Sequence, residues 1–208
     1  MIKPATLLAS LLLLLVASAI AVMTTWAWDA TSVRISNNER NYRLRALNEI
    51  VPASRYDNNI FADTISVRDP ELLGTPDNVT AYRARKDGLP VAVIITAVAP
   101  KGYSAAIKLM VGINFDGTIA GVRVSDHNET RGLGDQIEIE NSDWITQFDQ
   151  RSLGDPARQA WAVQRDDGVF DQISGATITP RAIVRAVRDA LIYFEANRDT
   201  LFAMTPDQ

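Results

Sequence analysis

The chain has 208 residues, 47% of them apolar, and a formal net charge of −4 from 21 basic and 25 acidic side chains. That length suits one packed domain with a small appendage, and the near-balanced charge offers no basic surface for a nucleic acid backbone. Because the chain has no cysteine and a single histidine, disulfides, thiolate nucleophiles, cysteine-ligated clusters and multi-histidine metal centres are excluded, and any redox chemistry must come from a bound organic cofactor.

An uncharged segment from Pro4 to Trp28 has the leucine-rich run of residues 11–16 near its centre. At ~1.5 Å per residue, a helix of this length exceeds the ~30 Å hydrocarbon core of a bilayer. Trp26 and Trp28 fall at its far end, where an interfacial aromatic belt is expected. We therefore predict a transmembrane anchor over residues 1–29.

A cleaved signal peptide is the alternative, because Lys3 gives a charged start and Ala19-Ile20-Ala21 resembles a small-residue cleavage site. Apolar character continues past that site, which favours a retained anchor. Four arginines follow the span, so the count of basic residues does not by itself place that side outside the cytoplasm. Since long domains translocate largely regardless of charge, and the leader before the span is short, we expect an external soluble domain.

Residues 30–55 are predicted to form a juxtamembrane amphipathic helix, because Leu44, Leu47 and Val51 recur at steps of three and four. Residues 56–208 would form the soluble domain. Its first strand is predicted at Val91 to Val98, a short β-branched run. Later strand residues show strict alternation, in which one face would be buried and the other would be exposed. The apolar members of this alternation are Ile107, Leu109, Val111 and Ile113, and the intervening residues are Lys108, Met110, Gly112 and Asn114.

Asp116-Gly117 is a hairpin signal, and residues 119–124 after it again have strand periodicity. We also predict a short helix at 143–148, a strand at 161–163 and a turn at 166–168. The last helix is predicted to start at Thr179-Pro180, with the threonine as cap and the proline at the first helical position. Its apolar face would pack on the sheet and its arginines would lie on another face. The apolar residues are Ile183, Val184, Val187, Leu191 and Phe194, and the arginines are Arg181, Arg185 and Arg188. The expected fold is α+β, with a mainly antiparallel sheet and flanking helices after one transmembrane helix.

The segment before this helix reads Asp171-Gln172-Ile173-Ser174-Gly175-Ala176-Thr177. Small residues let a bulky group approach the backbone, and a helix N-terminus attracts phosphate through its free amides and dipole. The same residues are also common where they only cap a helix. The order of Asp171, Ser174, Gly175, Ala176 and Thr177 resembles the flavin-attachment motif of FMN-binding subunits. That resemblance implies that Thr177 carries FMN through a phosphoester, installed by a separate flavin transferase, and that the small residues before it line the cofactor.

A second segment, His127-Asn128-Glu129-Thr130-Arg131-Gly132-Leu133-Gly134-Asp135, is similar to a stretch of the same family, except that Arg131 stands where proline is usual. The resemblance implies contacts to the flavin from Glu129, Thr130, Leu133 and Gly134. The glycines do not form a dinucleotide fingerprint, because the third glycine and the helix start are missing. Binding of NADH by this chain is therefore disfavoured.

The resemblance covers most of the chain after the span, and it extends through Tyr56 to Asn59, Gly102-Tyr103-Ser104, Phe115 to Ile119, Asp143-Trp144-Ile145 and Phe170 to Tyr193. The combination resembles the G subunit of the Rnf (also called Rsx) ion-translocating electron-transport complexes. This implies an inner-membrane, single-pass subunit with a periplasmic domain, electron transfer through FMN, and the A, B, C, D and E subunits of the complex as partners. The C subunit of the sodium-pumping NADH:quinone reductase shares the attachment motif but is typically longer.

Two functions of other classes stay open from the residues themselves. One is a membrane-tethered assembly module without a cofactor, in which residues 171–179 only cap a helix. The other is a hydrolase that uses His127 with a serine, although a lone histidine is more often structural. Arg181 would either neutralise the flavin phosphate or be a solvated residue of the helix surface, and Lys108 is predicted to be exposed.

Overall fold

The structure is a computed structural model whose description covers residues 4–203, with the side chains of residues 4–7, 9–10, 29 and 33–43 excepted. The chain divides into two compact units, Met1–Arg45 and Ala46–Gln208. Lys3 and residues 204–208, which bear on the predicted leader and on the end of the predicted domain, lie outside the described residues.

The first unit is helical. Helix α1, Pro4–Ile50, continues through the predicted boundary between the anchor and the juxtamembrane helix. Its segment Leu11–Ser32 is the one stretch of helix, within the described part of the chain, that is long and apolar enough to cross a membrane. Thr24, Thr25 and Thr31 turn their hydroxyls back onto carbonyls four residues earlier, at 2.5 to 2.6 Å. This satisfies polar groups that lipid would leave without partners.

The second unit contains a five-stranded antiparallel sheet in which each strand pairs with its neighbour along the chain. Its strands are β1 (Thr64–Val67), β2 (Val79–Lys86), β3 (Leu89–Ala99), β4 (Ile107–Asn114) and β5 (Ile119–Asp126). The predicted antiparallel sheet and the hairpin at Asp116-Gly117 are confirmed, with Gly117 at φ 92° where the turn needs a residue without a side chain. Consecutive strands that pair in chain order make this sheet a simple meander.

Strand β4 is covered on both faces, which the alternating pattern did not predict. Its apolar face, from Ile107 to Ile113, is buried as expected, but Met110 and Asn114 on the other face are also buried. The cover on this second face comes from the end of α1: a Cβ atom at Gly112 would lie 2.1 Å from Cγ2 of Ile50. Gly112 stands opposite Gly121 in the sheet, so paired glycines make room for this isoleucine.

A side chain at Gly112 should therefore destabilise the domain. We expect Gly112→Ala to lower the free energy of unfolding by about 1 to 3 kcal/mol, the usual effect of overpacking a filled interior. The change would be measured by urea unfolding followed by tryptophan fluorescence. A matched control is Gly154→Ala, since a Cβ there meets only Ser152 Oγ within 4 Å, at 3.9 Å. The double variant Gly112→Ala/Ile50→Ala should lose less than the sum of the two single losses, and simple additivity would contradict the contact.

Helix α2, Ile178–Phe202, packs on the opposite face of the sheet from the end of α1. The predicted apolar face is confirmed: every residue from which it was inferred is buried, namely Ile183, Val184, Val187, Leu191 and Phe194. Arg185 is exposed, and Arg181 and Arg188 are half-buried. The start of the helix differs from the prediction, because α2 begins at Ile178 with Thr177 at the N-cap position. Pro180 thus lies in the first turn, where its missing N–H has no intrahelical partner to lose.

The chain between β5 and α2 folds mainly as short 3₁₀ helices and turns. The predicted helix at 143–148 is a 3₁₀ helix, Trp144–Phe148, and Asp167 forms the predicted turn in a left-handed conformation. The predicted strand at 161–163 is wrong, since only Val163 makes a single bridge, to Phe170. The apolar residues there contribute to a buried aromatic cluster instead, in which the ring centroids of Trp161 and Phe170 lie 4.8 Å apart.

Buried charged side chains just before β1 and in β2 bind the end of α2. We call Asp63, Arg83 and Arg85 the Asp63 cluster; their exposed fractions are 3%, 2% and 7%. Both arginines pair with the aspartate. They also donate to the last carbonyls of the helix, Arg83 to Ala203 O at 2.6 Å and Arg85 to Phe202 O at 2.9 Å. The cluster thus satisfies acceptors that every helix end leaves without intrahelical partners.

Candidate functional site

The segment before α2 is a tight turn anchored at both ends. At its start, the carbonyl of Asp171 accepts a hydrogen bond from Trp144 Nε1 at 2.9 Å, and the amide of Asp171 donates to Gln147 Oε1 at 2.7 Å. The turn closes where Ala176 N donates to Ile173 O at 3.1 Å. Gly175 has φ 81°, a conformation that L side chains rarely adopt. The position of the following threonine is therefore set by the turn and the helix together.

Thr177 occupies the N-cap position of α2, but its side chain makes no capping hydrogen bond. The residue is half-buried. A helix of 25 residues begins here, and its first amides have no intrahelical acceptors and carry the positive end of the helix dipole. The hydroxyl of Thr177 therefore stands beside an electropositive helix end without being used for capping.

The glycine-rich loop after β5 is held by its own backbone. The amides of Leu133, Gly134 and Asp135 all donate to the carbonyl of Thr130, at 3.2, 2.9 and 3.3 Å. Gly132 has φ 77°, so the turn depends on a residue that adopts this conformation easily. Arg131 is exposed. These converging hydrogen bonds define the loop without a proline.

The two segments meet around a cavity of about 290 Å³, which we call the Thr177 cavity. The structure brings seven of the eight residues predicted to bind the cofactor to its wall, and only Ser174, which is exposed, lies off it. The cavity also has three wall residues that sequence reasoning did not select as site residues. Its full lining is Tyr103, Glu129, Thr130, Leu133, Gly134, Gly175, Ala176, Thr177, Ile178 and Thr179.

Tyr103 and Ile178 are two of the three additional wall residues. They are 67% and 44% exposed and stand at the mouth of the cavity together with Leu133, which is 42% exposed. The signal that could have found Tyr103 was present, because Gly102-Tyr103-Ser104 belongs to the stretches that carry the family resemblance. Ile178 could have been found from its place next to the threonine, once the start of the helix was known.

Glu129 is the buried carboxylate of the cavity wall, with 6% of its surface exposed. Its Oε1 accepts the backbone amide of Ser104 at 3.1 Å. Its Oε2 accepts the hydroxyl of Thr179, which is itself fully buried. A Cβ atom at Gly134 would lie 2.9 Å from Glu129 Cβ, so the loop glycine and the carboxylate are in close contact. Thr179, predicted as the helix cap, thus bonds a side chain from a distant loop instead.

His127 uses both ring nitrogens. Nδ1 accepts the amide of Glu129 at 3.0 Å, and Nε2 lies 2.9 Å from Glu138 Oε1. Because Nδ1 accepts, the proton belongs on Nε2, which donates to the carboxylate. Neither nitrogen is left in this structure to activate a serine, so the hydrolase interpretation receives no support from the geometry. Among the described residues, no group of three or more acidic, histidine or cysteine side chains could hold a metal ion.

Arg181 does not line the Thr177 cavity but a neighbouring groove of about 440 Å³. Its guanidinium binds Asp166 through two nitrogens, at 2.5 and 2.6 Å. This hydrogen bonding holds the pKa of the Asp166 carboxyl below its ordinary value and raises the pKa of Arg181. Of the two interpretations of Arg181, the structure favours a surface residue of the helix with an acidic partner. Lys108 is exposed, as predicted, and pairs with Asp126 at 2.9 Å.

Comparison with known proteins defines the class to which this site belongs. Residues 102–192, which contain both segments of the Thr177 cavity, match the FMN-binding domain family. The chain is 51% identical over 173 residues to the G subunit of the ion-translocating oxidoreductase complex of Pseudomonas aeruginosa (strain UCBPP-PA14), covering 83% of this chain and 81% of that protein. It is 41% identical over 203 residues to the G subunit of Shewanella oneidensis, covering 98% and 93%. The same subunit of Pseudoalteromonas atlantica is 41% identical over 193 residues, covering 91% and 90%.

The chain therefore belongs to the family of G subunits of ion-translocating oxidoreductase complexes. It contains an FMN-binding domain in which the predicted α+β fold, with its apolar N-terminal helix, is confirmed. The names of these relatives agree with the predicted resemblance to the G subunit rather than to the C subunit of the sodium-pumping reductase.

Proposed function

We propose that this chain is an electron-transferring subunit of a ferredoxin/NAD-type ion-translocating oxidoreductase complex, with FMN attached by a phosphoester to Thr177. The observation that carries the proposal is the uncommitted hydroxyl of Thr177, which lies in the wall of a cavity at the electropositive start of α2. Family membership supports the class of complex, and the geometry supports this residue as the point of attachment.

Three hydroxyl side chains lie close together in this part of the chain, and their surroundings differ. Thr179 is fully buried and donates its hydroxyl to Glu129, so it is neither accessible nor free. Ser174 is exposed but lies off the cavity. Thr177 alone among the three combines a place in the cavity wall with a side chain that makes no capping hydrogen bond. These differences favour Thr177 as the acceptor of the flavin phosphate.

The residues around Thr177 suit a flavin phosphate. The helix start supplies amide donors and positive potential for the phosphate. Gly175 and Ala176 leave the backbone open to close approach, and a Cβ atom at Gly175 would already lie 2.9 Å from Leu133 Cδ2. Apolar walls from Leu133 and Ile178 suit the flat faces of an aromatic ring system.

Bound FMN would supply the chemistry, by accepting and releasing electrons. The chain's own residues would hold the phosphate at the helix start, restrict the position of the ring and exclude water from part of its surface. A covalent link prevents loss of the cofactor between electron transfers. Complete turnover would then require partners, and we propose that these are the A, B, C, D and E subunits of the complex, with a flavin transferase acting during maturation.

We further propose that the chain is held in the cell inner membrane by its N-terminal helix, with the FMN-binding domain on the periplasmic side. The apolar segment Leu11–Ser32 supports a single crossing. In this arrangement residues 1–29 are the anchor, the rest of α1 up to Ile50 is the juxtamembrane helix, which ends before the predicted boundary at residue 55, and residues 56–208 are the flavin domain.

The direct test is the intact mass of the full-length chain purified from a host that has the flavin transferase. We expect the mass of the polypeptide increased by one FMN less one water, since the phosphoester forms with net loss of water. The denatured chain should stay fluorescent on a gel. The same chain from a host without the transferase is the control and should have the unmodified mass. An unmodified, colourless chain from the transferase-containing host would contradict the proposal and favour an assembly module without cofactor.

A further inference from the structure

Glu129 is a buried carboxylate with an unusual environment. Only 6% of its surface is exposed, and among the described residues no lysine or arginine forms an ion pair with it. Both oxygens act as acceptors, one from Ser104 N and one from the hydroxyl of Thr179. An ionised carboxylate only accepts hydrogen bonds, so this pattern suits the charged form. Burying such a charge is unfavourable unless hydrogen bonds offset the lost hydration.

These hydrogen bonds connect three separate segments of the Thr177 cavity. Ser104 adjoins Tyr103 at the cavity mouth, Glu129 itself belongs to the glycine-rich loop, and Thr179 lies in the first turn of α2. Two glycines pack closely against the carboxylate: a Cβ atom at Gly102 or at Gly134 would lie 3.0 Å from a carboxylate oxygen of Glu129. The position of the helix start, and with it of Thr177, is therefore coupled to this side chain.

We propose that Glu129 is a positioning residue for the flavin site, which holds the first turn of α2 and the Tyr103 segment around the cavity and whose negative charge lowers the reduction potential of the flavin. The inference rests on the proposed attachment of FMN to Thr177. Its electrostatic part follows from the low effective dielectric of a buried site, where a charge acts more strongly than in water. Reduction adds electrons to the flavin, so a nearby negative charge opposes it, and charge near the ring is one of the ways in which a protein tunes a flavin.

The experiment uses full-length chains made with the flavin transferase and compares four variants with the wild type. Glu129→Gln removes the charge but keeps the shape, and Glu129→Asp keeps the charge on a shorter side chain. Thr179→Val keeps the carboxylate and removes the hydroxyl that binds it. The control is Glu140→Gln, a change to a carboxylate that is nearby in sequence and has no ion pair among the described residues. The readouts are the fraction of chain that carries flavin, by intact mass, and the reduction potential of that flavin, by redox titration of its absorbance.

We expect the potential of Glu129→Gln to shift to more positive values, that of Glu129→Asp to stay nearer to the wild type, and that of Glu140→Gln to be unchanged. Thr179→Val should carry flavin on a severalfold smaller fraction of the chain. A folded Glu129→Gln chain that attaches less flavin also supports the positioning role, and its thermal unfolding shows whether it is folded. If Glu129→Gln does not fold, Thr179→Val decides, because wild-type attachment in that variant would overturn the inference.

The inference is also overturned by a Glu129→Gln chain that has both the flavin content and the reduction potential of the wild type. That result would leave the proposed function intact, since flavin would still be attached. Failure of the proposed function has a different signature: the wild-type and Glu140→Gln chains would themselves carry no flavin.

Discussion

Thr177→Ala should abolish covalent attachment of flavin completely. The phosphoester needs the threonine oxygen, and the other two hydroxyls of residues 174–179 are unsuitable because Thr179 is fully buried and Ser174 lies off the cavity. The intact mass of the variant, made with the flavin transferase, should equal that of the unmodified polypeptide. The denatured chain should lack flavin fluorescence.

The same variant should fold normally, because the side chain of Thr177 makes no capping hydrogen bond that the alanine would remove. Loss of a capping bond typically destabilises a protein by ~1 kcal/mol, and here we expect a change of at most about 0.5 kcal/mol in the free energy of unfolding. Unfolding of both chains is compared without flavin, from a host that lacks the transferase. A large loss of stability would show a structural role for the hydroxyl that its present contacts do not provide.

Two controls separate the site from its surroundings. Ser174→Ala should keep full attachment, because that side chain is exposed and off the cavity. Thr177→Ser keeps a hydroxyl at the same position and should retain flavin at a reduced fraction of the chain, because the smaller side chain is less restricted. Peptide mapping should place the flavin on residue 177 in each modified chain. A Thr177→Ala chain whose intact mass still included one attached flavin would contradict the assignment of the site.

Asp63→Ala should lower the free energy of unfolding by about 3 to 5 kcal/mol, the range found when one partner of a buried ion pair is removed. In the Asp63 cluster, the change would leave the guanidinium groups of Arg83 and Arg85 buried without their carboxylate. It would also weaken the contact between β2 and the end of α2, since both arginines donate to the last carbonyls of that helix. The change would be measured by urea unfolding of the full-length chain in detergent, followed by tryptophan fluorescence.

The matched control for this prediction is an exposed ion pair in the same sheet. Lys108 and Asp126 lie 2.9 Å apart with side chains that are 57% and 61% exposed, and such surface pairs contribute about 0 to 1 kcal/mol. Asp126→Ala should therefore be nearly neutral. If Asp63→Ala proved no more destabilising than this control, the Asp63 cluster would not stabilise the packing of α2 as its contacts indicate.

The position of α2 shows where a local signal competes with a tertiary contact. Thr179-Pro180 is a strong local pattern for a helix start, but the helix begins at Ile178. The hydroxyl of Thr179 is bound by Glu129, a residue of the loop after β5. Local chemistry therefore predicted that a helix would begin near here, and a contact with a distant loop decided that Thr179 is buried while the side chain of Thr177 makes no capping hydrogen bond.

The strands also separate what a local pattern predicts from what a tertiary contact decides. The alternation in β4 correctly predicted a strand and its apolar face, but the other face was expected to be exposed and is instead covered by the end of α1, with Ile50 against Gly112. The residues at 161–163 looked like a strand because they are apolar, but they are buried in an aromatic cluster with almost no strand pairing. Periodicity indicates which face of a segment is apolar, and it does not indicate which other element covers that face.

By itself the sequence determined the apolar N-terminal helix, the three antiparallel strands β3 to β5 with the hairpin at Asp116-Gly117, the apolar face of α2, and the two segments that form the Thr177 cavity, whereas β1 and β2 were not predicted. The helices, strands and hairpin depend on neighbouring residues, whose periodicity and turn chemistry are visible along the chain, and the two cavity segments were identified by their resemblance to the motifs of FMN-binding subunits. Only the tertiary structure decided that Tyr103 and Ile178 stand at the cavity mouth, that Glu129 binds Thr179, and that Arg181 is paired with Asp166 away from the cavity. Each of these depends on which distant groups meet in space, and that choice is made by the packing of the whole domain.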